Sequence, residues 1–187
     1  MGHGWSFGKG REGNIHLLTD LGEAHGFAVY GVPAFRVEGE VVSSTAIREA
    51  VARGDFAKAA RFLGREYAVM GRVIEGQKLG RQLGFPTANV DVENEQLPPL
   101  GVYAVQARLD GVWLPAVANL GRRPTVAENA EPNLEVHLLD WSGDCYTQDM
   151  EVRFIQLLRG EMKFDGLEAL KAQIARDVST AWKVLKL

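Results

Sequence analysis

A glycine-rich stretch in the middle of the chain, from Gly71 to Asn89, limits what the surrounding sequence can form. It reads GRVIEGQKLGRQLGFPTAN and carries four glycines before a Pro-Thr-Ala-Asn tail. Glycine weakens the interior of a strand because it loses more backbone entropy on folding and offers no side chain to pack. It also lets successive backbone N–H groups approach an anion such as a phosphate. The stretch therefore predicts a ligand-binding loop, with a mobile, turn-rich linker as the alternative.

The tail of this stretch offers two oxygen ligands. Thr87 supplies a hydroxyl and Asn89 an amide oxygen, and both are hard donors of the kind that Mg²⁺ accepts. Phosphates together with Mg²⁺ predict a nucleotide. The stretch is not a Walker P-loop, because no Gly-Lys-Ser/Thr follows Gly76 at the required spacing.

The composition restricts the class of protein. The chain has 187 residues, 46% of them hydrophobic and 24% charged, which is typical of one globular domain or one domain plus a fragment. A formal charge of −3 and a pI near 5.8 oppose a dedicated nucleic-acid binder. No apolar run has the length of a bilayer span, and the N-terminus lacks a signal-peptide core. We therefore expect a cytoplasmic protein that acts on small molecules, without nucleic-acid or membrane partners. Its oligomeric state is left open.

Residues 1–66 have the pattern of an α/β segment. Asn14 is placed to cap a helix through Leu21, with Gly26 beyond its end, and the apolar run 27–32 predicts a buried strand. A further helix is expected after Ser43-Ser44-Thr45, with Gly54 at its end, and another over 56–63 between Asp55 and Gly64.

The residues Ser43, Ser44, Thr45 and Arg48 allow two interpretations. Hydroxyl residues at a helix start are ordinary N-caps. Alternatively, the free N–H groups of the helix start and the Arg48 guanidinium form an anion site.

From Tyr67 onward the pattern changes to short strands between turns, which indicates a barrel or a sandwich. Strands are expected over 67–74, 102–109, 112–119, 134–139 and 151–158, with a hairpin turn at Asp110-Gly111. Pro115 predicts an edge or bulge position, and residues 93–99 a solvated loop. A helix from Gly166 to about Leu185, with a capping box at Asp165 and Glu168, closes the chain.

The alternation in residues 134–139 separates two faces of one strand. Leu134, Val136 and Leu138 share one face, whereas Glu135 and His137 lie on the other. A carboxylate facing a barrel mouth could accept a proton from an attacking hydroxyl, as the base of a kinase does. A half-exposed strand glutamate explains the same pattern. His137 is interpreted as a packed or hydrogen-bonded strand residue.

Four segments together resemble the riboflavin kinase family: Gly71–Asn89, NLGRRPT over 119–125, Glu135 in LEVHLLD, and LRGEMKF over 158–164. The resemblance implies an α+β fold for residues 67–187, a six-stranded antiparallel Greek-key β-barrel with a long C-terminal helix. It implies Glu135 as the catalytic base, Thr87 and Asn89 as Mg²⁺ ligands, and flavin contacts from Arg122, Pro124, Arg159 and Glu161. The ATP-binding residues it implies are Gly76, Lys78, Gly80, Arg81, Gly84, Pro86 and Thr87.

Two N-terminal segments, FGKGREGN over 7–14 and VSSTAIR over 42–48, resemble motifs of the adenylyltransferase module of bacterial bifunctional riboflavin kinase/FAD synthetases. The histidine-containing H-x-G-H motif of that module does not occur between Met1 and Asp20. Residues 1–66 are therefore predicted to be a partial α/β, Rossmann-like nucleotidyltransferase fragment. In it, the residues Ser43, Ser44, Thr45 and Arg48 are remnants of a site.

The resemblance implies ATP- and Mg²⁺-dependent phosphorylation of the riboflavin 5′-hydroxyl to give FMN and ADP, with FAD synthesis lost. Two alternatives stay open. One is retained FMN adenylyltransferase activity, and the other is a barrel that binds flavin or nucleotide without turnover. A barrel that binds single-stranded nucleic acid is opposed by the net charge.

Overall fold

The computed structural model describes residues 5–76, 79–93, 96–122 and 132–185. The chain divides into two compact units, Met1–Ser44 and Thr45–Leu187. Within the described ranges no helix combines the length and the apolar character needed to cross a membrane.

The first unit contains the 3-10 turn Lys9–Arg11, helix α1 (Ile15–His25) and a hairpin of β1 (Arg36–Val37) and β2 (Glu40–Val41). The side chain of Asn14 accepts hydrogen bonds from the N–H groups of His16 and Leu17 at 2.9 and 3.2 Å. Gly26 ends the helix in the left-handed region at φ 76°. The predicted caps are thus confirmed, and the helix runs one turn further than Leu21.

The buried strand predicted over residues 27–32 is wrong. No strand forms there, and Phe27, Tyr30 and Val32 are 47%, 78% and 57% exposed. A strand needs a neighbour that accepts its backbone hydrogen bonds. In the described part of the first unit, strand pairing consists of the β1–β2 hairpin, an isolated bridge between Phe7 and Gly13, and a single bridge position at Val32. The apolar run therefore gains no ladder of its own.

The second unit opens with two short helices, α2 (Ser44–Ala52) and α3 (Phe56–Leu63). As predicted, the Asp55 side chain caps α3 and Gly64 ends it at φ 70°. Both helices bury their apolar face in the same cluster as the interior of the following barrel. The ring of Phe56 stacks on Phe154 at 5.6 Å between centroids. Packing thus groups α2 and α3 with the barrel, whereas a boundary at residue 66 rests on sequence motifs and stays a proposal.

Six antiparallel strands close into a barrel in the order β3-β4-β7-β6-β5-β8. Strands β5, β6 and β7 are consecutive, and β4 lies beside β7, which is a Greek-key arrangement. Helix α5 packs on β5, β6 and β8, so the predicted six-stranded barrel with a long C-terminal helix is confirmed. The elements of this part are β3 (Ala68–Ile74), α4 (Leu79–Leu83), β4 (Ala88–Val92), β5 (Gly101–Leu109), β6 (Val112–Arg122), β7 (Pro132–Leu138), β8 (Asp149–Arg159) and α5 (Leu167–Leu185).

Apolar side chains occupy the interior of the barrel. Every strand contributes buried apolar residues to one cluster, including the fully buried Val69, Tyr103, Val136 and Phe154. A second cluster lies on the outer wall, where residues of β5 and β6 such as Val102 pack against α5. Polar side chains of the strands therefore lie on the outer surface of the barrel.

The glycine-rich stretch contains more regular structure than its composition suggests. Gly71 lies inside β3, and a Cβ there would overlap the backbone oxygen of Asp91 on the paired strand β4. A glycine at this position therefore permits close strand approach and does not form a loop. Helix α4 and strand β4 were not predicted.

A solvated loop was expected over residues 93–99; residues 94 and 95 lie outside the described ranges, and residues 96–99 are not solvated as expected. Pro98 is buried, and two tyrosines donate to backbone oxygens of the segment, Tyr67 to Gln96 and Tyr103 to Pro99. These hydrogen bonds and the packing of Leu97 hold the segment against the barrel. The edge or bulge position predicted for Pro115 is wrong. Pro115 pairs with Gln106 of β5 without a register shift, and its carbonyl oxygen accepts a hydrogen bond from the Leu139 N–H at 2.9 Å, just after β7.

Tyr103 makes the stability of the barrel sensitive to alkaline pH. Burial raises the pKa of Tyr103 to about 12, from an ordinary value of 10.0. As the pH rises, Tyr103 therefore loses its proton at a lower pH in the unfolded chain than in the folded protein. Its contribution to the free energy of unfolding is fully present below pH 10 and is lost as the pH rises toward 12. We expect the urea midpoint to fall over this range, and to fall less in Tyr103→Phe. An equal fall in both proteins would contradict the assignment.

Candidate functional site

A cavity of about 350 Å³ lies on the outer wall of the barrel, between the exposed face of the sheet, helix α4 and helix α5. Its wall combines apolar side chains with a small group of polar ones. The lining residues are Leu79, Gly80, Leu83, Phe85, Thr87, Asn89, Val102, Val117, Asn119, Glu135, His137, Arg159, Glu161, Met162, Phe164, Leu170, Ile174 and Asp177.

Three polar residues form a row across neighbouring strands at the centre of this wall. Glu135 on β7 pairs with Asn89 on β4 and with Asn119 on β6. Residues that pair directly across an antiparallel sheet project from the same face. One carboxylate is therefore flanked by two amides. Asn119 belongs to the NLGRRPT motif, but no role was predicted for it, because cross-strand register depends on the closed barrel.

Glu135 faces outward from the barrel wall and not toward a barrel mouth. Its neighbours Leu134 and Val136 are fully buried in the interior, so alternation directs the Glu135 side chain to the outer surface. The amide of Asn133 donates to its Oε1 atom at 2.8 Å. This bond orients the carboxylate within the cavity wall.

His137 connects β7 to the segment that carries Thr87. Its Nδ1 atom lies 2.7 Å from the carbonyl oxygen of Pro86, and its ring meets that of Phe85 edge-on at 5.6 Å. His137 is thus a packed and hydrogen-bonded strand residue, as predicted, and it fixes the chain immediately before Thr87.

The glycines of the loop allow the polar tail to pack closely. A Cβ on Gly80 would overlap the carbonyl oxygen of Phe85, and a Cβ on Gly76 would overlap the Asn89 side chain. Asn89 is only 8% exposed, and what it exposes lines the cavity. Asn89 therefore suits a ligand that enters the cavity.

A buried ion pair closes the far side of the cavity. Arg159, at the end of β8, lies 2.9 Å from Asp177 on α5, measured from Nη2 to Oδ2. The Asp177 side chain is 6% exposed and also accepts a hydrogen bond from Gln173 at 2.9 Å. Asp177 was not among the predicted site residues. The sequence does contain a signal for this residue. Asp177 lies three residues after Ile174 and four before Ala181, so helical spacing places its carboxylate on the apolar face of α5.

The structure brings Gly80, Thr87, Asn89, Glu135, Arg159 and Glu161 together in the cavity wall. The other predicted site residues that the structure describes do not line it. Gly76, Gly84 and Pro86 belong to the segments on either side of α4, Arg81 lies in α4, and Arg122 is exposed at the end of β6. Lys78 and Pro124 lie outside the described residues. Ser43, Ser44, Thr45 and Arg48 are exposed around the start of α2.

The comparisons with known proteins agree with this architecture. A family model described as riboflavin kinase matches residues 63–185, and one described as FAD synthetase matches residues 1–46. The chain therefore belongs to the riboflavin kinase family. Residues 63–185, which that model covers, contain all six strands of the barrel and helix α5.

The curated relatives are longer than this chain. A bifunctional riboflavin kinase/FMN adenylyltransferase of Pseudomonas fluorescens is 46% identical over 97% of the chain and 58% of its own length. The protein of that name from Escherichia coli K12 is 45% identical, also over 97% and 58%. A crystal structure described as a macrolide-efflux protein from Streptococcus pneumoniae is 29% identical, with a TM-score of 0.76 over 96% of the chain and 58% of its own.

Proposed function

We propose that this chain transfers the γ-phosphoryl group of ATP to the 5′-hydroxyl of riboflavin, at the cavity between the barrel wall and α5. The observation that carries the proposal is the row in which Glu135 lies between Asn89 and Asn119. A binding site alone has no use for a carboxylate at this point, whereas transfer from a hydroxyl needs a proton acceptor. The proposed enzyme is cytoplasmic, acts on small molecules and has no nucleic-acid or membrane partner.

Glu135 is the proposed base. It takes the proton from the ribityl 5′-hydroxyl, whose oxygen attacks the γ-phosphorus. The bond from that phosphorus to the bridging oxygen breaks, and ADP and FMN leave. The hydrogen bond from Asn133 supports this role, because it holds the carboxylate in one orientation.

The loop and its tail are the proposed nucleotide side of the site. Close approach at Gly80, next to Phe85 and Thr87, allows backbone N–H groups to face the phosphates. The other proposed ATP-binding residues are Gly76, Lys78, Arg81, Gly84, Pro86 and Thr87. The hydroxyl of Thr87 and the buried amide oxygen of Asn89 fit Mg²⁺, and we propose that they hold it. Bound there, the ion would offset the negative charge of the phosphates.

The proposed flavin side lies under α5. Val102, Val117 and Ile174 give it apolar walls, and Arg159 and Glu161 give it polar groups at one end. Such a wall suits a planar aromatic ring with one polar edge. Arg122 and Pro124 are proposed to contact the flavin from the neighbouring segment.

FMN without FAD is the expected product of the purified chain. The motifs FGKGREGN and VSSTAIR, with Ser43, Ser44, Thr45 and Arg48, are proposed to be remnants of an adenylyltransferase. Residues 1–20 contain no H-x-G-H motif for the phosphates of a second nucleotide. The matched FAD synthetase segment is short, at residues 1–46.

The test is one reaction with riboflavin, ATP and Mg²⁺, in which FMN and FAD are separated in the same chromatogram. FMN alone supports the proposal. FAD in addition would mean that residues 1–66 retain transfer activity, and bound riboflavin without either product would favour a non-catalytic binding barrel.

A further inference from the structure

The donors of the Arg159 guanidinium are divided between the protein and the cavity. Its Nε atom lies 3.2 and 3.0 Å from the two Asp177 oxygens, and Nη2 lies 2.9 Å from Oδ2. Its Nη1 atom donates to the Gly160 carbonyl at 3.0 Å. A guanidinium has five N–H groups in a fixed plane. Asp177 occupies the side formed by Nε and Nη2, and Gly160 accepts one N–H of Nη1, so one N–H on each terminal nitrogen remains.

Asp177 is held as firmly as the arginine it binds. It is 5% exposed, Gln173 donates to its Oδ1 at 2.9 Å, and α5 packs its Ala181 turn against the barrel wall. The guanidinium also lies over the ring of Phe164, 5.6 Å from its centroid. Carboxylate, carbonyl and ring together fix both the position and the plane of the guanidinium.

We propose that Asp177 is a positioning residue for substrate recognition: it sets the Arg159 guanidinium so that its two remaining N–H groups form a fork toward the polar edge of the flavin ring. This assignment rests on the proposed function, because it takes riboflavin as the ligand of the cavity. On the flavin, N1 and the C2 carbonyl oxygen are adjacent acceptors, and their spacing fits a planar two-donor fork. The dimethylbenzene end offers no acceptor, so the fork also sets which end of the ring enters.

The experiment measures riboflavin binding by flavin fluorescence quenching without ATP, in the full chain. Asp177→Asn keeps the shape of the side chain but removes its charge and one acceptor for Arg159. We expect its riboflavin Kd to rise about 10- to 100-fold, as for a lost hydrogen bond to a charged group. The KM for ATP should change little. Glu151→Gln is the matched control, since Glu151 pairs with Arg108 at 3.6 Å and does not line the cavity.

A purely structural ion pair would behave differently. In that case Asp177→Asn would lower Tm, while riboflavin Kd, measured well below that Tm, would equal the wild-type value, and this result would overturn the assignment. The double variant Arg159→Met/Asp177→Leu guards against misfolding, because replacing both buried charges by apolar residues of similar volume is commonly tolerated. It should fold and fail to bind riboflavin; wild-type binding would again overturn the assignment.

The contact with the ring edge has its own test. 1-Deazariboflavin lacks the N1 acceptor, so wild-type protein should bind it more weakly than riboflavin, and Asp177→Asn should discriminate less between the two. Equal discrimination in both proteins would remove the proposed contact. This comparison measures binding without ATP, so it does not depend on catalysis. A wild type that binds riboflavin but makes no FMN when ATP and Mg²⁺ are added would refute the kinase mechanism and leave this comparison valid. A wild type that binds no riboflavin would refute both.

Discussion

Replacing Glu135 by glutamine is expected to remove most FMN production and to leave the fold unchanged. Glutamine has the same shape, and its carbonyl oxygen can still accept the hydrogen bond that Asn133 donates to Oε1. It cannot take the proton of the attacking hydroxyl, however. Loss of a positioned base typically lowers a rate by about 10²- to 10⁴-fold, and we expect turnover to fall within that range. The KM values for ATP and riboflavin should change little.

The measurement is kcat for FMN formation, with Tm recorded for each protein. Glu151→Gln is again the matched control, because it makes the same chemical change on strand β8, at a side chain that is 21% exposed and outside the cavity. Near-parental turnover of Glu135→Gln would exclude Glu135 as the base. A parallel loss in Tm and turnover would instead indicate a structural role.

Local features of this fold were predictable from the sequence because short-range chemistry decides them. Asn14 and Asp55 cap their helices through their own side chains, and Gly26 and Gly64 take the left-handed conformation that ends a helix. The Asp110-Gly111 turn joins β5 to β6 with Leu109 paired to Val112. In each case the interacting groups lie within a few residues of each other.

Features that depend on distant neighbours were not predictable in this way. Residues 27–32 have the composition of a strand but lack a ladder of hydrogen bonds in the described structure, whereas β4 forms because β3 and β7 pair with it on either side. Alternation placed Glu135 and Leu134 on opposite faces of β7. It could not say which face was the barrel interior, because that depends on how the six strands close.

The residues of the candidate site show the same difference between what sequence motifs predict and what tertiary contacts decide. Gly80, Thr87, Asn89 and Glu135 belong to motifs, so a resemblance to a known family identified them as candidates. Asp177 belongs to no such motif, and its importance follows from a contact with Arg159 that only the packing of α5 on the barrel creates. Asn119 likewise becomes a neighbour of Glu135 through the register of β6 and β7. Sequence patterns identify residue types, while tertiary packing decides which of them meet.

Asn89→Ala is expected to lower activity much more than stability. Asn89 is 8% exposed and lines the cavity. Loss of its side chain therefore enlarges a space that is already open and leaves the apolar interior of the barrel unchanged. We expect Tm to stay within a few degrees of the wild type.

Turnover, in contrast, should fall. If the amide oxygen of Asn89 holds Mg²⁺, its loss should weaken use of the ion by at least the roughly 10- to 100-fold that loss of an outer-shell partner costs a metal site. The measurement is FMN formation as a function of Mg²⁺ concentration, with Ser179→Ala as the control, since Ser179 is exposed on α5 and does not line the cavity. A wild-type Mg²⁺ profile in Asn89→Ala would exclude Asn89 as a ligand. A large fall in Tm would show that the amide stabilises the wall in the free protein, and the loss of activity could then not be assigned to the ion.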